Sequence, residues 1–428
     1  MTLSNLQSPI SNLQSPISNL QSPISNLQSP ISNPQSPISN LQSPISNLQS
    51  PISNLQSPIP NPQSPILAKH HNRIIFLDYC RIFAFVSVLI GHEFFGDILN
   101  FISNPNVHIT IKSILSISLP IFEGGGAGVV VFFLVSGYII TKVIEFEKPF
   151  DFLIKRIFRI YPLYGAALIL HFLLLKKANS APSGFVLIQQ LSLLGDFSNT
   201  PYSLNGVEWT LRIEIIFYLF MTVLAGLKLF SRYRRLLPYV LLAGIMSCQF
   251  IAPFPKTETL FKAYFSMYCP FLLLGSLFFT FETKEVKAHF LLAAIGLVFY
   301  QYFSQTAAFS KHWLGSHFAF FGALIFFSLW FFRGRLILNN IIMLFSEMTY
   351  AVYLLHHWLF NYFCTWTGRF NIPGGSQKGV AVILLFLASY IMMKLIEKPG
   401  IRVGLLFLKK IKGNKTEKVP VLNAIFES

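Results

Sequence analysis

The sequence predicts an all-α integral membrane protein of about ten transmembrane helices behind a disordered N-terminal repeat. Three observations carry that expectation. Of 428 residues, 53% are hydrophobic, 12% are charged and 45 are Phe, and several apolar runs approach the roughly 20 residues that span a bilayer. The net charge of +16 is dealt out in short Lys/Arg clusters between those runs, which fits positive-inside topology rather than nucleic-acid binding. Residues 4–66, finally, repeat one seven-residue unit nine times.

That unit reads SNLQSPI, with Pro replacing Leu in some copies and Pro60 opening the last. Leu6, Ile10 and Leu13 imitate coiled-coil spacing, but a proline in every copy removes a helix hydrogen bond and excludes the helix. The unit has no charge and no aromatic residue, so it cannot bury enough surface to offset ordering entropy, and disorder is expected over 1–66. It also lacks the basic start and apolar core of a signal peptide. A membrane domain over 67–405 and a basic cytoplasmic tail over 406–428 complete the expected organisation. About 30 residues after the last helix are too few for a soluble domain. Cys80, Cys248, Cys269 and Cys364 are scattered in apolar segments without metal-ligand spacing and read as small buried hydrophobes, so no metal is expected.

The first membrane helix is expected over about 74–95 and contains LDYCRIFAFVSVLIGH, residues 77–92. Arg81 and His92 are eleven residues apart, and eleven steps of 100° return to within about 20°, so both leave the helix from one face, about 16 Å apart along the axis. Asp78 lies near that face. Ionisable groups inside a spanning helix cost at least about 2.5 kcal/mol each and usually face a polar cavity. The plainer alternative is an Arg81 that snorkels to headgroups and a His92 that satisfies a helix contact.

An external loop is expected over 97–125, then a second helix over 126–143 in which Gly128, Ser136 and Gly137 admit a neighbouring backbone. Residues 152–164, FLIKRIFRIYPLY, form a short amphipathic stretch before Pro162. Its Lys155, Arg156 and Arg159 suit either the phosphates of a nucleotide-like coenzyme, which guanidinium groups bind bidentately, or a cytoplasmic topology signal. A third helix is expected over 163–175 and a polar loop over 176–207. In the fourth, EWTLRIEIIFYLF, Glu208 and Arg212 share a face while Glu214 points elsewhere, and a buried carboxylate needs a partner or a role. Further helices follow near 236–251, 260–281, 289–303, 314–332, 346–360 and 379–396, with basic clusters always on the cytoplasmic side and both termini inside.

Taken in order, Arg81 and His92, GVVVFFLVSGYIIT (128–141), KRIFRIYP (155–162), EWTLRIEIIFY (208–218), MTYAVYLLHH (348–357) and IEKP (396–399) resemble the membrane acyltransferase-3 family over roughly 74–405. The resemblance implies a ten-helix enzyme that moves an acyl group, usually acetyl from cytoplasmic acetyl-CoA, to a hydroxyl of a cell-surface or exported glycan or a lipid-linked sugar. It implies His92 as the catalytic histidine, Arg81 as its paired cation and Glu397 as the acidic residue near the end. Thr210, Leu211 and Arg212 depart from the family pattern after Trp209, as does the open spacing of Arg156 and Arg159.

Transfer from a thioester to an alcohol requires removal of the hydroxyl proton, and an imidazole is the usual base, which points to His92. Arg81 suits either coenzyme phosphate, together with Lys155, Arg156 and Arg159, or the charge on the thioester oxygen, and its distance of about 16 Å from His92 along the helix favours the first role. Asp78, Glu214, Tyr350 and His356 are expected to support these groups, and an acyl-histidine intermediate stays open. The competing class is a polytopic transporter of a small anionic or sugar substrate, although no internal symmetry marks one.

Overall fold

The computed structural model describes residues 73–251, 253–256, 262–370 and 373–412, all within one compact unit. The expected disorder over 1–66 falls outside them, as do residues 413–428. Among the described residues every regular element is helical: α1 (Ile75–Glu93), α2 (Phe95–Ser103), α3 (Ile109–Phe122), α4 (Gly126–Ile144), α5 (Pro149–Lys177), α6 (Gly184–Leu191), α7 (Trp209–Gly226), α8 (Leu237–Phe250), α9 (Tyr264–Glu282), α10 (Ala288–Phe309), α11 (Phe318–Phe331), α12 (Asn340–Leu355), α13 (Trp358–Gly368), α14 (Gly374–Met392) and α15 (Lys398–Lys412). Among the described residues seven candidate spans are long and apolar enough to cross a membrane; α11 and α12 are apolar but shorter.

Helix α4 is the hub, packed against α1, α9, α11 and α7. Its small residues explain this. A side chain at Gly137 would collide with the Leu272 carbonyl on α9, one at Gly128 with the Ala84 carbonyl on α1, and one at Gly322 on α11 would sit 2.7 Å from the Ala127 carbonyl. Close backbone approach of this kind drives helix association where lipid removes the hydrophobic incentive.

Four expectations are corrected. Residues 97–125 are not a loop: α2 and α3 occupy most of the stretch, His108 Nδ1 accepts from the Thr110 amide at the start of α3, and the apolar run packs on α1, α2 and α11. The amphipathic stretch and the third helix are one element, α5, which runs through Pro162. There the carbonyl of Phe158, left without its helical donor, faces Gly400, and α15 lies so close that side chains at Gly400 and Gly404 would strike Pro162 and Phe158. The ninth helix is divided into α12 and α13 at His356 and His357. The tenth continues from α14 through a π-helical turn, Met393–Glu397, into α15.

Candidate active site

Where α1, α4, α5, α7 and α12 meet lies an open cavity lined by Arg81, Arg156 and Arg159 and by Ser136, Glu214, Tyr218, Thr349 and Tyr350. Three of the four expected coenzyme cations therefore share one space. Lys155 lines an adjoining cleft with Arg159 and pairs with Glu147 at 2.6 Å. Arg81 is positioned by Asp78, whose carboxylate is 3.7 Å away. Asp78 is itself buried, accepts two bonds from Arg73 at 2.8 and 2.9 Å and one from Ser346 at 2.6 Å. Arg156 lies over the rings of Phe152 and Tyr218.

Glu214 points away from the Glu208 and Arg212 pair, as the spacing predicts. It accepts from Ser136 at 3.0 Å and from Tyr218, so Ser136 is a polar wall residue and not simply a packing one. Tyr350 donates to the Ile160 carbonyl at 2.9 Å, tying α12 to α5. Glu397 is buried in the π-helical turn, with Arg159, Lys398 and Arg81 as its neighbouring cations. Its Oε2 makes no hydrogen bond among the described residues.

His92 stands apart from this cavity, in the last turn of α1, and its side chain is accessible. Its ring lies 5.2 Å from that of His356 and 5.0 Å from that of His357. A carbonyl can only accept, so the 2.6 Å contact between His356 Nδ1 and the Tyr353 carbonyl puts the proton on Nδ1. His356 Nε2 is left buried and unpaired among the described residues. The two regions communicate through aromatic rings. Phe132 lines the cation cavity and stacks on Tyr353 at 5.6 Å, and Tyr353 is 5.7 Å from His356.

In the first turn of α7, Arg212 is fully enclosed. It bonds Asp196 at 2.7 Å and the Thr200 carbonyl at 3.3 Å, lies 4.0 Å above the Tyr202 ring and 3.7 Å from Glu208. Burial pushes the Glu208 carboxyl up to about 7, against the opposing pull of Arg212. This cluster holds the loop before α7 rather than lining the cavity. Sequence reasoning missed Glu93 and His357, joined at 2.6 Å, and Ser136, Tyr218, Phe132 and Tyr353. Only two cues pointed their way: Glu93 directly follows His92, and His357 completes the double histidine.

A family model described as an acyltransferase domain matches residues 74–396. The chain belongs to the acyltransferase-3 family. No curated protein and no solved structure matches it. The protein is thus a multi-pass membrane acyltransferase, and family membership decides for an enzyme over a transporter.

Proposed function

We propose that this acyltransferase moves an acyl group, acetyl in the first instance, from cytoplasmic acyl-CoA to a hydroxyl of a cell-surface or exported glycan or its lipid-linked precursor. The observation that carries this is the joint position of Arg81, Arg156 and Arg159 around one cavity, with Phe132 and Tyr353 leading from it to the His92 cluster. Three guanidinium groups suit the diphosphate and 3′-phosphate of the donor. The roughly 16 Å from Arg81 to His92 along α1 matches the reach of an extended pantetheine arm.

In this reading His92 removes the proton of the acceptor hydroxyl as its oxygen attacks the thioester carbonyl, and the electron pair of the broken C–S bond leaves on sulfur. Arg81, Arg156 and Arg159 bind and orient the donor, and Asp78 holds Arg81 in place. Glu214 and Tyr350 fix the cavity wall, and Glu397, outside that lining, sets the charge around Arg159 and Arg81. Counting α8, α11 and α12 with the seven longer spans gives ten crossings, with both termini cytoplasmic in an inner or plasma membrane. Incubation of the purified protein with labelled acetyl-CoA and candidate glycan acceptors tests the activity, which predicts label on an ester oxygen. Reporters after Lys287 and at Ser180 test the topology, which predicts cytoplasmic and external readings respectively.

A further inference from the structure

The His92 region contains a second, unassigned arrangement. Glu93 follows His92 at the end of α1, is buried, and contacts Nδ1 of His357 at 2.6 Å across the junction of α12 and α13. A carboxylate accepts, so the proton sits on His357 Nδ1 and the lone pair of its neutral ring on Nε2. His357 thus has the same tautomer as His356, but the two are provided for differently. His356 leans on a carbonyl inside the protein; His357 is partly exposed and backed by a carboxylate. A positive charge on His357 would be compensated, whereas one on His356 would not.

The surroundings keep Glu93 in place. The Lys378 ammonium from α14 donates to the Glu93 main-chain carbonyl at 2.8 Å and is itself paired with Asp97 of α2. Asn361 of α13 donates to the His357 carbonyl at 2.8 Å and lies 3.3 Å from its Nδ1. No group of three or more His, Cys, Asp or Glu among the described residues is placed to hold a metal ion.

We propose that His357, oriented by Glu93, is the proton acceptor for His92, so that the hydroxyl proton passes from the acceptor to His92 and on to His357. Ring centres 5.0 Å apart bring the nitrogens within reach directly or through one water. The step balances: the acceptor O–H bond breaks, the ester C–O bond forms and the C–S bond breaks. The proton leaves from His357 to water, and the thiolate takes one from water on its own side. Carboxylate, imidazole and a second reacting group in series follow the logic by which a buried acid orients a catalytic histidine. The inference rests on the function proposed above.

The test compares wild type, His92→Ala, Glu93→Gln and His357→Ala in detergent, with initial acetyl-transfer rates and acetyl-CoA affinity measured on each. Glu93→Gln keeps a side-chain oxygen that can accept from Nδ1 and loses only the charge. The relay predicts a fall in kcat of at least about tenfold for Glu93→Gln and about a hundredfold for His357→Ala, donor affinity within twofold of wild type, and partial recovery of His357→Ala by added imidazole. Glu93→Gln at the wild-type rate overturns the relay. If His357→Ala does not fold, Glu93→Gln decides alone. Failure of the wider reading looks different, since wild type itself then transfers nothing.

Discussion

Phe132 stacks on Tyr353 with ring centres 5.6 Å apart and planes within 2° of parallel, and it is the residue through which the cation cavity of the membrane domain meets its histidine cluster. In the proposed reading the donor arm runs along these rings from Arg81 towards His92. Phe132→Trp should therefore narrow the passage without touching the cations. Transfer from acetyl-CoA should fall by about tenfold, while affinity for the nucleotide fragment of the coenzyme, 3′-phosphoadenosine diphosphate, stays within twofold. A parallel loss of fragment affinity would place the constriction elsewhere.

Asp78 organises the cation end. It is buried and engaged by Arg73, Ser346 and Arg81 at once, so Asp78→Ala leaves Arg73 only its longer 3.8 Å pairing with Glu347 and frees Arg81. Breaking a buried pair by removing one partner costs on the order of 3 kcal/mol. Donor affinity measured by calorimetry and thermal stability should drop together. Arg81→Lys should weaken affinity alone, because an ammonium lacks the guanidinium fork.

The position of His92 depends on a glycine one residue earlier. A side chain at Gly91 would collide with the Gly125 amide and the Phe122 carbonyl, where the left-handed turn at Gly124 and Gly125 joins α3 to α4. Gly91→Ala should cost roughly 1–3 kcal/mol through overpacking. Gly96→Ala, which would meet nothing within 4 Å, should leave the melting temperature where it is. Equal melting temperatures for the two variants would contradict the close approach.

Glu208 gives the fold a signed pH dependence. Burial raises its carboxyl from 4.5 to about 7 in the folded protein, so the folded state keeps a proton that the unfolded chain has released. Its contribution to stability is full below about 4.5 and is lost as pH rises through about 7. Glu208→Gln, which retains an acceptor for Ser203, should gain in melting temperature relative to wild type between pH 5 and pH 8, both tested in detergent. A difference independent of pH would refute the shift.

Much of this architecture was legible in the chain because its signals are local. Apolar length marks the spans, and the eleven-residue interval from Arg81 to His92 fixes a shared face whatever surrounds it. The spacing of Glu208, Arg212 and Glu214 separated the paired carboxylate from the one that reaches the cavity. What stayed hidden depends on partners distant in sequence. Pro162 reads as a helix end until Gly400 and Gly404 bring α15 against the exposed carbonyl of Phe158. His357 reads as one of two equivalent histidines until Glu93, 264 positions earlier, distinguishes it from its neighbour.

The central claim is that His92 does the chemistry and the arginine cavity holds the donor, and one pair of measurements on His92→Ala tests it most directly. Acetyl-CoA affinity by calorimetry should match wild type, and the initial rate of acetyl transfer at equal protein should fall to background, since the lost interaction belongs to the transition state. Near-normal turnover by His92→Ala would make the histidine structural and contradict the account.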